Sequence, residues 1–277
     1  MNETGERYIP TTNSPEISFE HWHRYLYVAE YVQDKDVLDI ASGEGFGSYY
    51  LAKSARSVVG VDIDREAISH AKKTYLSENL HFIEGSMTDI PIQDTGVFDI
   101  IVSFESIEHI DGKSQLSFMR EVRRLLKPDG MFIVSTPNKE LFTDNVEIKN
   151  PFHLKEFYTE EFRGFLLTYF KKVFLLGQKI YPVSYIWTLD DEKIHRLKEF
   201  VLRKDRGGGF KPANEIKENL YTIAICSNVD EDMLLPHSIE VDIDGAILTH
   251  NTELLTHSLS WKITSPLRLI KRLLTRK

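Results

Sequence analysis

Thirteen residues constrain this chain more than any other stretch: Asp36-Val37-Leu38-Asp39-Ile40-Ala41-Ser42-Gly43-Glu44-Gly45-Phe46-Gly47-Ser48. A short apolar strand carries an acid near its end, and three glycines at alternate positions then open a helix that begins near Tyr49. Glycines in such a turn let the backbone bend tightly and approach a ligand without Cβ atoms in the way. The next helix turns its unpaired N–H groups and its positive dipole end toward the same space. The run therefore predicts a small-molecule cradle at the carboxyl end of a buried strand.

A glycine run alone is weak ground for a function, and the order of the strands and helices downstream strengthens it. Val58-Val59-Gly60-Val61-Asp62-Ile63-Asp64 is a second buried strand, over about 57–63, ending in acids. Asp62 stands about 20 residues beyond the glycines, the spacing at which an acid reaches ribose hydroxyls in a nucleotide fold. Leu80-His81-Phe82-Ile83-Glu84 alternates as a third strand. Val97 to Ser103 is a near-continuous apolar run suited to a sheet covered on both faces, and Met131 to Thr136 is another, closed by Pro137. Helices fill the gaps: one over Arg65–Ser77, and one capped by Ser114 with Leu116, Met119, Val122 and Leu126 as its stripe, stopped by Pro128 and Gly130. Five strand and helix alternations predict an α/β, Rossmann-like, doubly wound sheet.

In order, the D-x-x-x-G-x-G-x-G run, the V-D-I-D strand end, the F-D-I-I-V-S strand and Leu126-Lys127-Pro128-Asp129-Gly130 resemble the motifs of class I S-adenosylmethionine (SAM)-dependent methyltransferases of type 11, over roughly 36–137. The flanks Gly5-Glu6-Arg7-Tyr8, Glu20-His21-Trp22-His23-Arg24-Tyr25 and Asn150-Pro151-Phe152-His153-Leu154-Lys155-Glu156-Phe157 look more loosely like a bacterial subgroup that methylates sugars and surface glycans. The resemblance implies a seven-stranded, mainly parallel sheet finished by an antiparallel pair near 171–179 and 219–227. It implies SAM as cofactor, with Asp39 orienting the glycine loop or the methionine amino group, Gly43 and Gly45 offering backbone contacts, Asp62 on the ribose and Ile63 on the adenine. The adenine amino contact falls to Ser86, to the Met87 backbone or to Asp89, since Ser86 stands where relatives commonly carry a carboxylate. Ser103, closing the fourth strand, belongs to the same cofactor set. Ala41 replaces a glycine found in many relatives.

Methyl transfer to a sugar hydroxyl asks for in-line placement and for a base, because the hydroxyl holds its proton with a water-like pKa of about 15.7. Among ten histidines, His109 follows the fourth strand beside the expected transfer point, and His153 lies in a Pro-flanked loop able to cover the acceptor. Imidazole suits the role near neutral pH. Glu105 stands at the same strand end and is a candidate for touching cofactor or acceptor, whereas Glu108 is expected to pair with Arg123 or Arg124. Tyr8 and His23 are candidate acceptor contacts. No repeated Asp/His spacing specifies a metal; a divalent cation would enter only through a carboxylate such as Glu105 and the sugar itself.

Three segments surround the core. Residues 1–35 are expected to be an arm followed by a helix, Phe19 to about Gln33 with Ser18 as its cap, closing over the site. The core spans 36–228 with an insertion at 181–215 holding a charged helix (190–204) and an Arg206-Gly207-Gly208-Gly209-Phe210 loop. Residues 229–277 form an extension whose last stretch, from Lys262, carries six basic residues and no acid opposite Leu267, Leu269, Ile270, Leu273 and Leu274. Such a segment lies on an anionic membrane surface, a partner helix, a second subunit or its own domain. A net charge of −8 gives no general reason to expect a nucleic-acid partner. A single cysteine, Cys226, rules out an internal disulfide and reads as a buried thiol in a reducing compartment. With no apolar run near ~20 residues and no secretion signal at Met1-Asn2-Glu3, a cytoplasmic protein is expected, peripheral at the inner membrane face if the tail binds lipid.

The chief rival is a nicotinamide-dependent oxidoreductase. Beyond the start of the glycine run, where a short-chain dehydrogenase needs it, the Tyr-x-x-x-Lys spacing occurs only as Tyr49 and Lys53, inside the glycine-loop helix where it cannot serve. A non-catalytic SAM-binding scaffold in a glycan assembly complex, or a methyltransferase for a non-sugar metabolite, would keep the same core.

Overall fold

The computed structural model describes residues 14–146, 150–184, 200–204, 210–213, 216, 218–230, 235–264 and 268. Seven strands form one sheet: β1 (Asp36–Ile40), β2 (Ser57–Asp62), β3 (Leu80–Glu84), β4 (Phe98–Ser103), β5 (Leu126–Pro137), β6 (Lys172–Gln178) and β9 (Tyr221–Ser227). Their order is β3-β2-β1-β4-β5-β9-β6. All neighbouring pairs are parallel except β9, which runs antiparallel to both β5 and β6. The order reverses between β1 and β4, so the crevice outside their carboxyl ends is the place for a ligand. The expected sheet is present, with its antiparallel strand next to the edge.

The strands are apolar on both sides because helices cover both faces. On one face, α4 (Gly112–Leu125) and α5 (Thr159–Leu167) bury Phe118, Met119, Val122, Leu125, Phe162 and Leu166 against Leu38, Ile101 and Phe132. On the other, α1 (Pro15–Ala29), α2 (Phe46–Leu51) and α3 (Arg65–Thr74) enclose Tyr25, Val28, Leu51, Ile68 and Ala71 over Val37, Val58 and Ile100.

Several boundaries differ from the sequence expectation, each for a local reason. Helix α1 starts four residues earlier than expected: Ser14 is its cap, accepting from the Ile17 N–H, and Pro15 sits in the first turn, where its missing N–H costs nothing. Ser18 lies inside the helix and donates back to the Ser14 carbonyl. Helix α4 is capped by Asp111, whose carboxylate accepts from the Ser114 N–H at 2.8 Å, so Ser114 is inside the first turn. Its Leu116 points outward, while Phe118 and Leu125 complete the buried stripe. Strand β5 begins at Leu126, directly where α4 ends, because Lys127 reaches back to Asp99 at 2.8 Å and joins β5 to β4.

Of the insertion's expected charged helix, residues 190–199 lie outside the described part; 201–204 belong instead to a hairpin of β7 (Val201–Lys204) with β8 (Phe210–Ala213). The loop at 206–209 also lies outside it. The extension contributes α6 (Ala246–His257) and α7 (Leu259–Ile263) and lies along α1: Tyr27 Oη donates to the Pro236 carbonyl, and Asn251 donates to Glu16 at 2.7 Å. Of the basic tail only Lys262 to Thr264 and Arg268 are described. Among the described residues no helix is long and apolar enough to cross a membrane. Cys226 is a buried free thiol in β9, its pKa raised by that burial.

Candidate active site

The glycine turn connects β1 to α2, and two of its glycines have quite different duties. Gly45 has φ of 99°, a left-handed conformation, and caps α2; a Cβ there would also strike the Phe82 ring at 2.7 Å. Gly47 is tight for another reason. A Cβ on it would fall 2.0–2.3 Å from three atoms of the Tyr25 ring, so this glycine admits α1 rather than a ligand. Ala41 takes φ of 61°. The residue that relatives replace by glycine is thus a left-handed position, where an L side chain is strained.

Asp39 is fully buried under this turn. It accepts from Ser48 Oγ at 2.6 Å and from Tyr25 Oη at 3.1 and 3.2 Å. Burial pushes its carboxyl up to about 7, against the pull of those two hydroxyl donors, and the nearby Asp62 carboxylate pushes the same way. Asp62, at the end of β2, accepts the Gly43 N–H at 2.9 Å through one oxygen and the Asp64 N–H at 2.8 Å through the other. Ile63 beside it is 74% exposed, an apolar side chain left in solvent at the mouth of the crevice. Ser86 Oγ is bonded to Thr88 Oγ1 at 2.8 Å, with Met87 packed partly against the core. Ser103 is buried and donates to the Ile40 carbonyl at 3.0 Å or pairs with Ser106 at 2.6 Å, so its side chain ties β4 to β1.

A second group gathers at the carboxyl ends of β4, β5 and β6 and the amino end of β9. Arg24 of α1 is 2% exposed, donates to Gln178 at 2.7 Å, stands 3.6 Å from Glu105 and lies 4.5 Å over the Tyr221 ring. Its Nη1 is buried without a hydrogen-bond partner. Glu20, one turn earlier, is raised to about 7 by burial, opposed by Arg24 and by a hydrogen bond with Tyr221. Glu105 has φ of 47° and accepts from Ser135 Oγ at 2.5 Å. It thus faces Arg24.

Beyond Glu105, a 3₁₀ turn (Ile107–His109) brings Glu108 and His109 to the loop 150–157, whose Leu154 and Lys155 N–H groups bond the Glu108 carbonyl. Glu108 is buried and accepts from Thr136 at 3.1 Å, and burial with the Glu105 carboxylate nearby holds its pKa well above the usual carboxylate range. The expected partnership with Arg123 or Arg124 does not form: Arg124 serves Glu121 and the carbonyls of Ile90, Ile92 and Asp94, and Arg123 lies over Phe170. The reason is position, since both arginines sit at the amino-terminal end of the strands. His109 and His153 meet ring to ring, centroids 5.0 Å apart, and His153 stacks on Phe142 at 5.4 Å.

The structure therefore brings His109, His153 and Glu105 to one end of the sheet, together with Glu108. His23 instead meets Ser238 of the extension at 2.9 Å, and Tyr8 lies outside the described residues. Sequence reasoning missed Arg24 and Glu20, whose charges gave no hint of burial, and Glu156, although its spacing three residues after His153 was visible.

The crevice fits a nucleoside cofactor. The buried Ser42 Oγ in the glycine loop has no hydrogen-bond partner, Ile63 offers an exposed apolar face, and the Asp62 carboxylate stands at the strand end between them. Residues 38–134 match the family described as "Methyltransferase domain". Over that stretch the chain is similar to SAM-dependent methyltransferases. SAM, the cofactor of that family, supplies a methyl group already activated on a positive sulfur.

Proteins similar to this chain include one named "Probable S-adenosylmethionine-dependent methyltransferase" from Mycolicibacterium smegmatis, 34% identical over 168 residues, 60% of this chain and 63% of the relative. A protein of the same description from Mycobacterium tuberculosis is 34% identical over 59% of each chain. A fatty-acid O-methyltransferase of M. smegmatis is 31% identical over 45% of this chain and 46% of its own. The chain thus spans about three fifths of the length of the first two relatives and less than half of the third. The solved PH0226 protein of Pyrococcus horikoshii shares the fold, with a TM-score of 0.54 and 20% identity over 83% of this chain and all of that one.

Proposed function

We propose that this chain transfers a methyl group from SAM to a hydroxyl oxygen, with a sugar or glycan as the acceptor. The observation that carries the oxygen assignment is the pairing of His109 with His153 beside buried Glu108, at the same strand ends as the cofactor crevice. Two imidazoles meeting edge to face are suited to ease a hydroxyl's proton away, as bases or through a cation they hold, which a neutral amine nitrogen would not require before attack. The names of relatives that methylate oxygen, the fatty-acid enzyme above and ubiquinone-biosynthesis O-methyltransferases, support the same reading. The sugar assignment rests on the likeness of the 20–25 and 150–157 segments to sugar methyltransferases. Both segments stand at the site, through Arg24 and His153.

The test is incubation of the full chain with methyl-labelled SAM and a panel of nucleotide sugars, free glycosides, lipid-linked glycans, fatty acids and phenolic rings. Label on a sugar hydroxyl is expected. Label confined to nitrogen would refute the oxygen reading, and label confined to fatty acids or phenols would refute the sugar. His153→Ala should lower transfer at least 100-fold while leaving SAM affinity within about twofold, the usual range for loss of acid–base assistance. Unchanged turnover would remove His153 from the machinery.

A further inference from the structure

The two histidines and Glu108 are arranged as more than a hydrogen-bonding set. Each offers one ligand atom, and those three atoms lie within 4.8 Å of one another. The remaining atoms are more telling. His153 Nδ1 stands 2.5 Å from a Glu156 carboxylate oxygen, which can only accept, so Nδ1 carries the proton and Nε2 is the lone-pair nitrogen. Glu156 is itself fixed, accepting from Thr143 Oγ1 at 2.7 Å. His109 Nδ1 stands 3.2 Å from the Phe152 carbonyl oxygen, also an obligate acceptor, with the same consequence for its Nε2. A carboxylate or a carbonyl behind each imidazole is the outer support that orients histidines on a metal. Glu108 completes the set from below. Its Oε2 is taken by Thr136, whereas Oε1 is fully buried with no hydrogen-bond partner, in a side chain 1% exposed. A buried carboxylate oxygen left without a donor costs a folded protein on the order of 1–3 kcal/mol or more, unless something positive meets it.

We propose that Glu108, His109 and His153 form a binding site for a divalent transition-metal ion. Two imidazoles and one carboxylate favour a cation of borderline softness such as Co²⁺, Zn²⁺ or Fe²⁺ over Mg²⁺, which takes oxygen ligands. Three protein ligands leave coordination positions open. On the reading that this site methylates a hydroxyl, the open position takes the acceptor oxygen. Metal binding lowers the pKa of a bound hydroxyl toward neutrality, so its proton passes to solvent water. The oxygen lone pair then forms the new C–O bond as the C–S bond breaks, its electrons returning to sulfur. Glu105, the sequence candidate for a metal contact, is engaged with Arg24 and Ser135 instead, and the ligand role moves three residues along to Glu108.

The test begins with metal alone, so that it does not depend on knowing the acceptor. The metal-stripped full chain is titrated with CoCl₂ by calorimetry and by visible absorption, with MgCl₂ as the control. One saturable equivalent of cobalt with ligand-field bands is expected, and magnesium should compete at least 100-fold more weakly. Glu108→Gln and His153→Ala should each weaken cobalt uptake at least 10-fold. Glu156→Gln, acting only through His153, should weaken it about 10- to 100-fold and shift the bands, which a purely structural role would not do. Should a variant fail to fold, the wild type still decides: Zn²⁺ should protect His109 and His153 from carbethoxylation by diethylpyrocarbonate. No saturable uptake, equal uptake by folded Glu108→Gln and His153→Ala, or labelling unaffected by zinc would overturn the site. Cobalt uptake without transfer to any hydroxyl would uphold the metal site and count against the O-methylation reading alone.

Discussion

Gly47 is the sharpest place to test how the amino-terminal helix is seated. Replacing it by alanine puts a methyl carbon 2.0–2.3 Å from Cζ, Cε1 and Cε2 of Tyr25, well inside contact distance for all three. The ring has nowhere to turn. Phe46 and Phe104 pack edge-on to it at 5.1 and 5.2 Å, and its hydroxyl is held by Asp39. The overlap has to be relieved by moving α1 off α2, at an overpacking cost of about 1–3 kcal/mol. That movement also strips a donor from a buried carboxylate, worth about 1.5–3 kcal/mol. Alanine returns about 1 kcal/mol through its better helix propensity. The balance is a loss of about 1.5–5 kcal/mol, a large share of a typical total of about 5–15 kcal/mol. Urea unfolding followed by circular dichroism measures it, and at an m-value of about 2 kcal/mol per molar the midpoint should fall by about 0.8–2.5 M. A cycle isolates the cause: in a Tyr25→Ala background, which already lacks the ring, Gly47→Ala should cost nothing or stabilise slightly. An unchanged midpoint in the single variant, or an equal loss in both backgrounds, would refute the account of a glycine kept for the tyrosine.

Other consequences are independent of that one. Ala41→Gly relieves a left-handed alanine at φ 61°; the strain of about 1–2 kcal/mol outweighs the extra chain entropy of about 0.4–1 kcal/mol, so a midpoint slightly above wild type is expected in the same urea assay. Glu20 holds its proton more tightly folded, at about 7, than unfolded, at about 4.5. Its contribution is therefore complete below about pH 4.5 and is lost as pH rises through about 7, and Glu20→Gln should flatten that part of the stability–pH curve. Asp62→Ala removes a carboxylate that would bind two ribose hydroxyls and that now holds the Gly43 N–H. Calorimetry with S-adenosylhomocysteine should show at least a 10-fold loss of affinity, and a smaller loss would place the ribose elsewhere.

The sheet was legible because periodicity and turn residues are local. Val97 to Ser103 could hardly be anything but a two-sided buried strand, and Asp62 fell at the expected strand end. The helix starts were less legible because two capping residues competed within a few positions. At the first helix Ser14 with Pro15 prevailed over Ser18, since proline fits only the opening turn; at the fourth Asp111 prevailed over Ser114 because its carboxylate reaches the serine's own N–H. The histidines of the site were visible by their place after strand ends. Their partners were not, because Glu108 meeting His153 and Arg24 meeting Glu105 are contacts between distant segments that no spacing encodes.

That last pair says how the two halves of the site are joined. Adjacent residues of α1 diverge: Tyr25 reaches Asp39 under the glycine turn, while Arg24 reaches Glu105 after β4 and Gln178 at the end of β6. Neither contact is cheap to break, since Arg24 is a buried cation and Asp39 a buried carboxyl. A displacement of α1 therefore loosens both subsites together, and cannot open one while leaving the other intact. The extension lies on this same helix through Tyr27 and Glu16. Whatever grips or releases that extension acts on the glycine turn above Asp39 and on Glu105 at once, through two neighbouring side chains.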